Sequence, residues 1–151
     1  MRAAVPAEAP SLTELAVRSK GHWGYDAAFL AASRSLLTVP DADCDGVAVQ
    51  VAERGGALLG FARVLGTPPT GELEDLFVDP PAIGTGVGRL LLADALARAR
   101  RRGFRSLRLN ADPHAEPFYL RAGAVRVGTH ESRTFPGRTL PRLEFTLPAP
   151  P

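Results

Sequence analysis

Gly84-Thr85-Gly86-Val87-Gly88 stands between a stretch with the period of a strand and a stretch with the period of a helix. Glycine lets a backbone approach a ligand closely and take angles that other residues avoid. The first N–H groups of a helix, with its dipole, hold anions. Phosphate binding is the chemistry such a loop offers, and a plain tight turn is the competing reading. A dinucleotide fingerprint needs glycine at 89, and a Walker loop needs Gly-Lys at 89 and 90; Arg89-Leu90 satisfies neither. Two carboxylates, Glu72 and Glu74, precede the loop, and a phenol, Tyr119, follows it. Neighbouring carboxylates raise one another's pKa, which suits one of them to accept a proton, although both also fit solvated strand positions. A phenol, with a pKa of about 10, stays a proton donor at neutral pH; an amphipathic tyrosine at the rim of a core is the alternative. The only cysteine, Cys44, excludes an intramolecular disulfide and a cysteine-clustered zinc site, and no histidine stands at a spacing that would make it a nucleophile's partner. His114 and His130 have no companions at metal-ligand spacing, so no metal is expected.

Positioning these groups takes a particular succession of elements. Ser11-Leu12-Thr13-Glu14 fits a capping box, which predicts a helix from Leu12 to about Lys20. Asp26 suits the cap of a second helix running to Leu37 and stopped by Pro40. From Gly46 the period becomes two, with Val47, Val49 and Val51 alternating with smaller or polar residues, and Gly55-Gly56 marks a hairpin into a second strand over 58–65. A third strand spans about 72–78. In it Leu73 has one parity and Leu76 and Val78 the other, so an extra residue near Glu74-Asp75, a β-bulge, is expected. A helix over about 86–102 carries Val87, Leu91, Ala95 and Ala99 on one stripe and ends at Gly103. A buried strand at 106–110, a short helix at 116–122 and strands at 125–129 and 143–147 complete an α/β fold with a mixed sheet.

Two segments carry a family resemblance. Glu72-Leu-Glu-Asp-Leu-Phe-Val-Asp-Pro80 followed by Gly84-Thr-Gly-Val-Gly-Arg-Leu-Leu91 resembles the acetyl-CoA-binding core of the GCN5-related N-acetyltransferase (GNAT) superfamily. Ala115-Glu-Pro-Phe-Tyr-Leu-Arg-Ala-Gly123 resembles that family's Ala-x-x-Phe-Tyr-x-x-x-Gly segment, in the right order and separation. The resemblance implies a V-shaped, mostly antiparallel sheet of about seven strands with about four helices. It also implies direct acetyl transfer from acetyl-CoA to an amine, without an acyl-enzyme.

By the same resemblance the pyrophosphate falls to Ile83, Gly84, Thr85, Gly86, Val87, Gly88 and Arg89, and the pantetheine amides to the backbone of Leu76, Phe77 and Val78. Asp112 and Phe118 lie where the cofactor passes, Tyr119 is placed to protonate the departing thiolate, and Glu72, or Glu74 beside it, matches a base acting through water. His22, Trp23 and Tyr25 fall in the segment that roofs the family's acceptor pocket, where the rings could enclose an alkyl or aromatic amine or stack on a cation. Trp23 fits a hydrophobic plug between helices equally well. His22 could relay a proton near neutral pH. Arg138, at the opposite wall, could meet an acceptor carboxylate, or be an exposed turn residue. Two positions depart from the family pattern: Ile83 replaces the usual Arg or Gln, leaving Arg89 to supply that charge, and Asp112 replaces the usual Asn.

Composition narrows the alternatives. A length of 151 residues suits one domain, with Pro/Ala-rich ends at about 1–9 and 148–151 expected to be flexible. A net charge of +2, with basic residues gathered only from Arg98 to Arg108, is too little for a nucleic-acid footprint. No apolar run reaches membrane-spanning length and no signal peptide is evident, so the expected location is the cytoplasm, without a membrane partner. The expected partner is a small-molecule amine, and a homodimer is compatible with the chain. A protein N-acetyltransferase of the same fold, or a CoA-binding regulatory module without turnover, are the rival readings.

Overall fold

A computed structural model describes residues 1–149. Its elements are β1 (Arg2–Ala3), α1 (Ala9–Gly21), α2 (Ala27–Leu37), β2 (Val49–Arg54), β3 (Ala57–Thr67), β4 (Thr70–Val78), α3 (Val87–Arg101), β5 (Ser106–Asn110), α4 (Glu116–Arg121), β6 (Val125–Glu131) and β7 (Thr139–Thr146). The strands form a seven-stranded sheet in the order β1-β2-β3-β4-β5-β7-β6. The pairs β1–β2, β2–β3, β5–β7 and β6–β7 are antiparallel, and β4–β5 is parallel. Two compact units make up the chain: Met1–Val64 with Asp75–Ala95, and Leu65–Glu74 with Leu96–Pro151.

In the first unit α1 buries Ala9, Leu12, Leu15 and Ala16, at spacings of three, three and one, against Val49 and Val51 of β2 and Phe61 of β3. The helix starts three residues earlier than the capping box predicts. Pro10 falls in its first turn, where a missing N–H costs nothing, and a 3₁₀ turn over Pro6–Glu8 leads into it. Thr13 is therefore inside the helix; its hydroxyl donates to the Ala9 carbonyl and accepts from the Val39 N–H. The first residues are held by Arg2, whose guanidinium pairs with Glu8 at 2.5 Å and Glu53 at 2.7 Å. Of the carboxy-terminal tail expected to be flexible, Pro150 and Pro151 lie outside the described residues. Asp26 caps α2 as expected, accepting from the Phe29 N–H at 2.8 Å. Gly55 and Gly56, both at positive φ, make the hairpin between β2 and β3.

The irregularity in β4 has a measurable counterpart. Asp79 donates its N–H to the Leu59 carbonyl at 2.8 Å, the rings of Phe77 and Phe61 are 5.9 Å apart, and Asp75 pairs with Arg63 at 2.7 Å. Each step of two along β4 answers a step of two along β3. Near the other end of the two strands, Gly66 lies against Gly71. From 63 to 66 is three residues and from 71 to 75 is four, the count that one inserted residue in β4 produces.

Arg63 is 5% exposed and Asp75 4%. Their contact is a close ion pair rather than an aligned hydrogen bond. Arg63 also donates to Asp43, in the 3₁₀ turn Asp41–Asp43, at 2.8 Å. In the second unit β5 alternates strictly, with Leu107 and Leu109 buried opposite Phe145 and Leu143 of β7. On the other face Arg108 pairs with Glu144 at 2.6 Å. Among the described residues no helix is long and apolar enough to cross a membrane.

Removing one partner of a buried ion pair leaves an uncompensated charge. Arg63→Met should therefore lower unfolding stability by about 3 kcal/mol or more. Urea unfolding checks this, and a loss under 1 kcal/mol would show that the pair does not organise β3 and β4.

Candidate active site

The first unit contains the glycine loop. After β4, Asp79 begins a 3₁₀ turn over Pro80–Ala82, and Thr85 then closes back on it, its hydroxyl donating to the Ala82 carbonyl at 2.5 Å. Gly84 and Gly86 have φ of 82° and 94°, a region that side-chain-bearing residues rarely occupy. A Cβ built at either would meet no atom within 4 Å. The glycines thus serve the backbone path, and the space over the loop is open. α3 begins at Val87, which is buried and pins the turn, while Gly84, Thr85, Gly86 and Arg89 are exposed. The first N–H groups of a helix have no partner within it. Ile83 is half-buried. Leu76, Phe77 and Val78 are each partly exposed at the end of β4, with Phe77 packed against the core.

The first unit also holds the aromatic segment. His22 and Trp23 meet edge to face at 5.3 Å, and Trp23 is 39% exposed. Tyr25 stacks on Phe29, centroids 4.1 Å apart and planes within 9°. Lys20 places Nζ 5.2 Å from the Tyr25 ring and 5.9 Å from that of Phe29. Of the two rings on which a cation was expected, Trp23 and Tyr25, Tyr25 faces one of the chain's own. Arg18 ties the end of α1 to Asp79, Nε to Oδ1 at 2.9 Å.

The second unit carries the remaining groups. Both carboxylate oxygens of Glu72 are taken by Arg142, one at 2.9 Å, and Arg142 also donates to Asn110 Oδ1 at 3.0 Å. The hydrogen bonds to Glu72 hold the Arg142 guanidinium charged beyond its usual range. Glu74 is exposed. Tyr119 is buried, its ring edge-on to Phe118 at 5.1 Å and to Phe145 at 6.4 Å. Asp112 accepts from the backbone N–H of His114 and contacts its Nδ1, both at 2.9 Å. Its carbonyl accepts from Ala115 and Glu116 at the start of α4. Arg138 approaches Asp112 at 3.8 Å, so the carboxylate it meets here belongs to the chain.

Arg142, Phe29 and Lys20 were missed in the sequence. Phe29, four residues past Tyr25 in a predicted helix, could have been found from its spacing. Arg142 has no local signal, because register alone places it beside Asn110.

The model of the acetyltransferase (GNAT) family matches residues 11–124. The chain belongs to the GNAT acetyltransferase family. This GNAT enzyme is accordingly an N-acetyltransferase. Its fold is similar to a GCN5-related N-acetyltransferase from Rhodopseudomonas palustris, with a TM-score of 0.77, 22% identity and coverage of 95% of this chain and 92% of that one. It is also similar to the PaiA N-acetyltransferase of Thermoplasma acidophilum, solved in complex with coenzyme A, with a TM-score of 0.71, 17% identity and 96% of each chain covered. A ribosomal-protein-alanine N-acetyltransferase from Brucella melitensis gives a TM-score of 0.67 at 26% identity, covering 97% of this chain and 98% of that one. No curated protein sequence matches the chain.

Cys44 is buried in the α1 core. Burial, with the carboxylates of Glu8, Asp43 and Asp41, pushes its thiol above its ordinary pKa, so it stays protonated and poorly nucleophilic at neutral pH. Native protein should resist maleimide at pH 7 and react fully once unfolded in urea. Rapid labelling of the native form would reopen an acyl-thioester route.

Proposed function

We propose that this acetyltransferase moves the acetyl group of acetyl-CoA directly to a primary amine, with a small-molecule amine as the favoured acceptor. The open turn at Gly84–Gly86, aimed by the start of α3, carries the reading: it offers backbone donors and a helix dipole to a diphosphate. Arg89, exposed on the first turn of α3, adds the positive charge that Ile83 lacks. The backbone of Leu76–Val78 pairs with the pantetheine amides, extending a strand through a ligand. Asp112 and Phe118 are assigned to the cofactor by the family resemblance.

The neutral amine attacks the thioester carbonyl carbon, a tetrahedral intermediate forms, and the C–S bond breaks. Tyr119 gives its proton to the departing thiolate; its ring is edge-on to Phe118 and Phe145. Proton removal from the acceptor falls to water relayed by Glu72 or Glu74. Arg142 fixes the carboxylate of Glu72, whereas Glu74 is exposed, which favours Glu74 for the transfer and Glu72 for orientation. His22, Trp23 and Tyr25 are assigned to the acceptor by the family resemblance, and Arg138 to a carboxylate on it. The cytoplasm is the proposed location.

A protein or peptide acceptor is a second reading, supported by the likeness to the Brucella enzyme over nearly its whole length. Free-thiol release measured with a panel of small amines and with short peptides separates the two. Turnover confined to peptides would overturn the small-molecule preference.

Gly86→Glu should abolish CoA binding measured by calorimetry while the protein stays folded, because it sets a carboxylate and a strained φ where the diphosphate rests. Wild-type affinity would remove the loop from the site. Tyr119→Phe should lower kcat by about a hundredfold with little change in acetyl-CoA affinity, since it deletes the donor and keeps the ring. Unaltered turnover would make Tyr119 a core residue only.

A further inference from the structure

Tyr25, one of the rings assigned to the acceptor, already faces a primary amine together with its stacking partner Phe29. Lys20 is the only lysine in 151 residues, beside seventeen arginines. It lies in the last turn of α1, half-buried, with its ammonium at cation–π distance from both stacked rings. The same turn is anchored toward the acetyl-CoA strand. Arg18, two residues before Lys20, pairs with Asp79, which directly follows Val78 and precedes the glycine loop. A lysine stem is a flexible four-carbon chain, so Nζ can leave the ring faces without movement of the helix.

We propose that Lys20 is an internal acceptor, acetylated in cis by the enzyme that carries it. This rests on the acceptor assignment of His22, Trp23 and Tyr25 made above. The Lys20 ammonium first loses a proton to water. Its neutral Nζ attacks the thioester carbonyl carbon of acetyl-CoA and the C–S bond breaks. The nitrogen gives up a second proton, and the departing thiolate takes one up. The products are an amide, CoA thiol and one released proton; no oxidant or reductant is involved. The amide is neutral, so the attraction to Tyr25 and Phe29 is lost. Acetylation therefore converts an aromatic pair filled by the chain's own cation into one that another cation can occupy.

The test uses the full chain with acetyl-CoA and no added acceptor, followed by intact mass and peptide mapping. One acetyl group on Lys20, absent from Lys20→Arg, should appear at a rate that saturates with acetyl-CoA, is suppressed by desulfo-CoA and does not depend on protein concentration. Lys20 left unmodified would overturn the proposal. So would a rate linear in acetyl-CoA and indifferent to desulfo-CoA, which is uncatalysed chemistry, or a rate proportional to protein concentration, which is transfer between molecules. The amine panel run on the same preparation separates the two levels. Turnover of free amines with Lys20 untouched overturns the internal acceptor alone, whereas failure to bind acetyl-CoA overturns the acetyl-transfer reading with it.

Discussion

A guanidinium with almost no access to water must be surrounded by carboxylates, and Arg63 meets this demand with Asp75 on the neighbouring strand and Asp43 on the turn after α2. The requirement is directional as well as electrostatic. Asp75 has to share a face with Arg63, which sets the phase of β4 from that point onward. Phe77 then falls on Phe61 and Asp79 on Leu59. The strand leaves the sheet at a defined residue, with Asp79 available to Arg18 and the chain turning into the glycine loop. The insertion in β4 is where the earlier part of the strand is reconciled with this phase.

The loop's chemistry follows from how little it contains. Gly84 and Gly86 take backbone angles that other residues rarely adopt, and nothing of the protein fills the space their missing side chains leave. Val87 is the one buried residue from Gly84 to Arg89, and it fixes where α3 starts. Donors that no internal acceptor satisfies are tolerable only where water or an anion reaches them. The same exposure makes the loop receptive to a diphosphate.

What was legible in the sequence is local in origin. The cap at Asp26, the Gly55-Gly56 hairpin, β5 with its flanking polar positions and the insertion in β4 each depend on residues within a few positions of one another. The start of α1 was misjudged because Ser11-Leu12-Thr13-Glu14 fits a cap as well as Pro10 fits a first turn. The partners of the candidate site were not legible for the same reason in reverse. Glu72 and Arg142 are seventy residues apart, and only strand pairing brings them together. The burial of Asp75 was not legible because the cation that makes it tolerable, Arg63, sits on another strand.

The chain's heavy use of arginine bears on what it can tolerate in its surroundings. A guanidinium stays protonated at any pH a protein survives, so it offers no lone pair to an activated acyl group. The ion pairs of Arg2, Arg34, Arg63, Arg108 and Arg142 are therefore built from the one basic side chain that a thioester does not erode. A lysine-rich relative in the same acetyl-CoA pool would slowly lose positive charge and drift toward a lower isoelectric point. Here the electrostatic frame keeps its sign and magnitude however long the protein stands beside its own co-substrate.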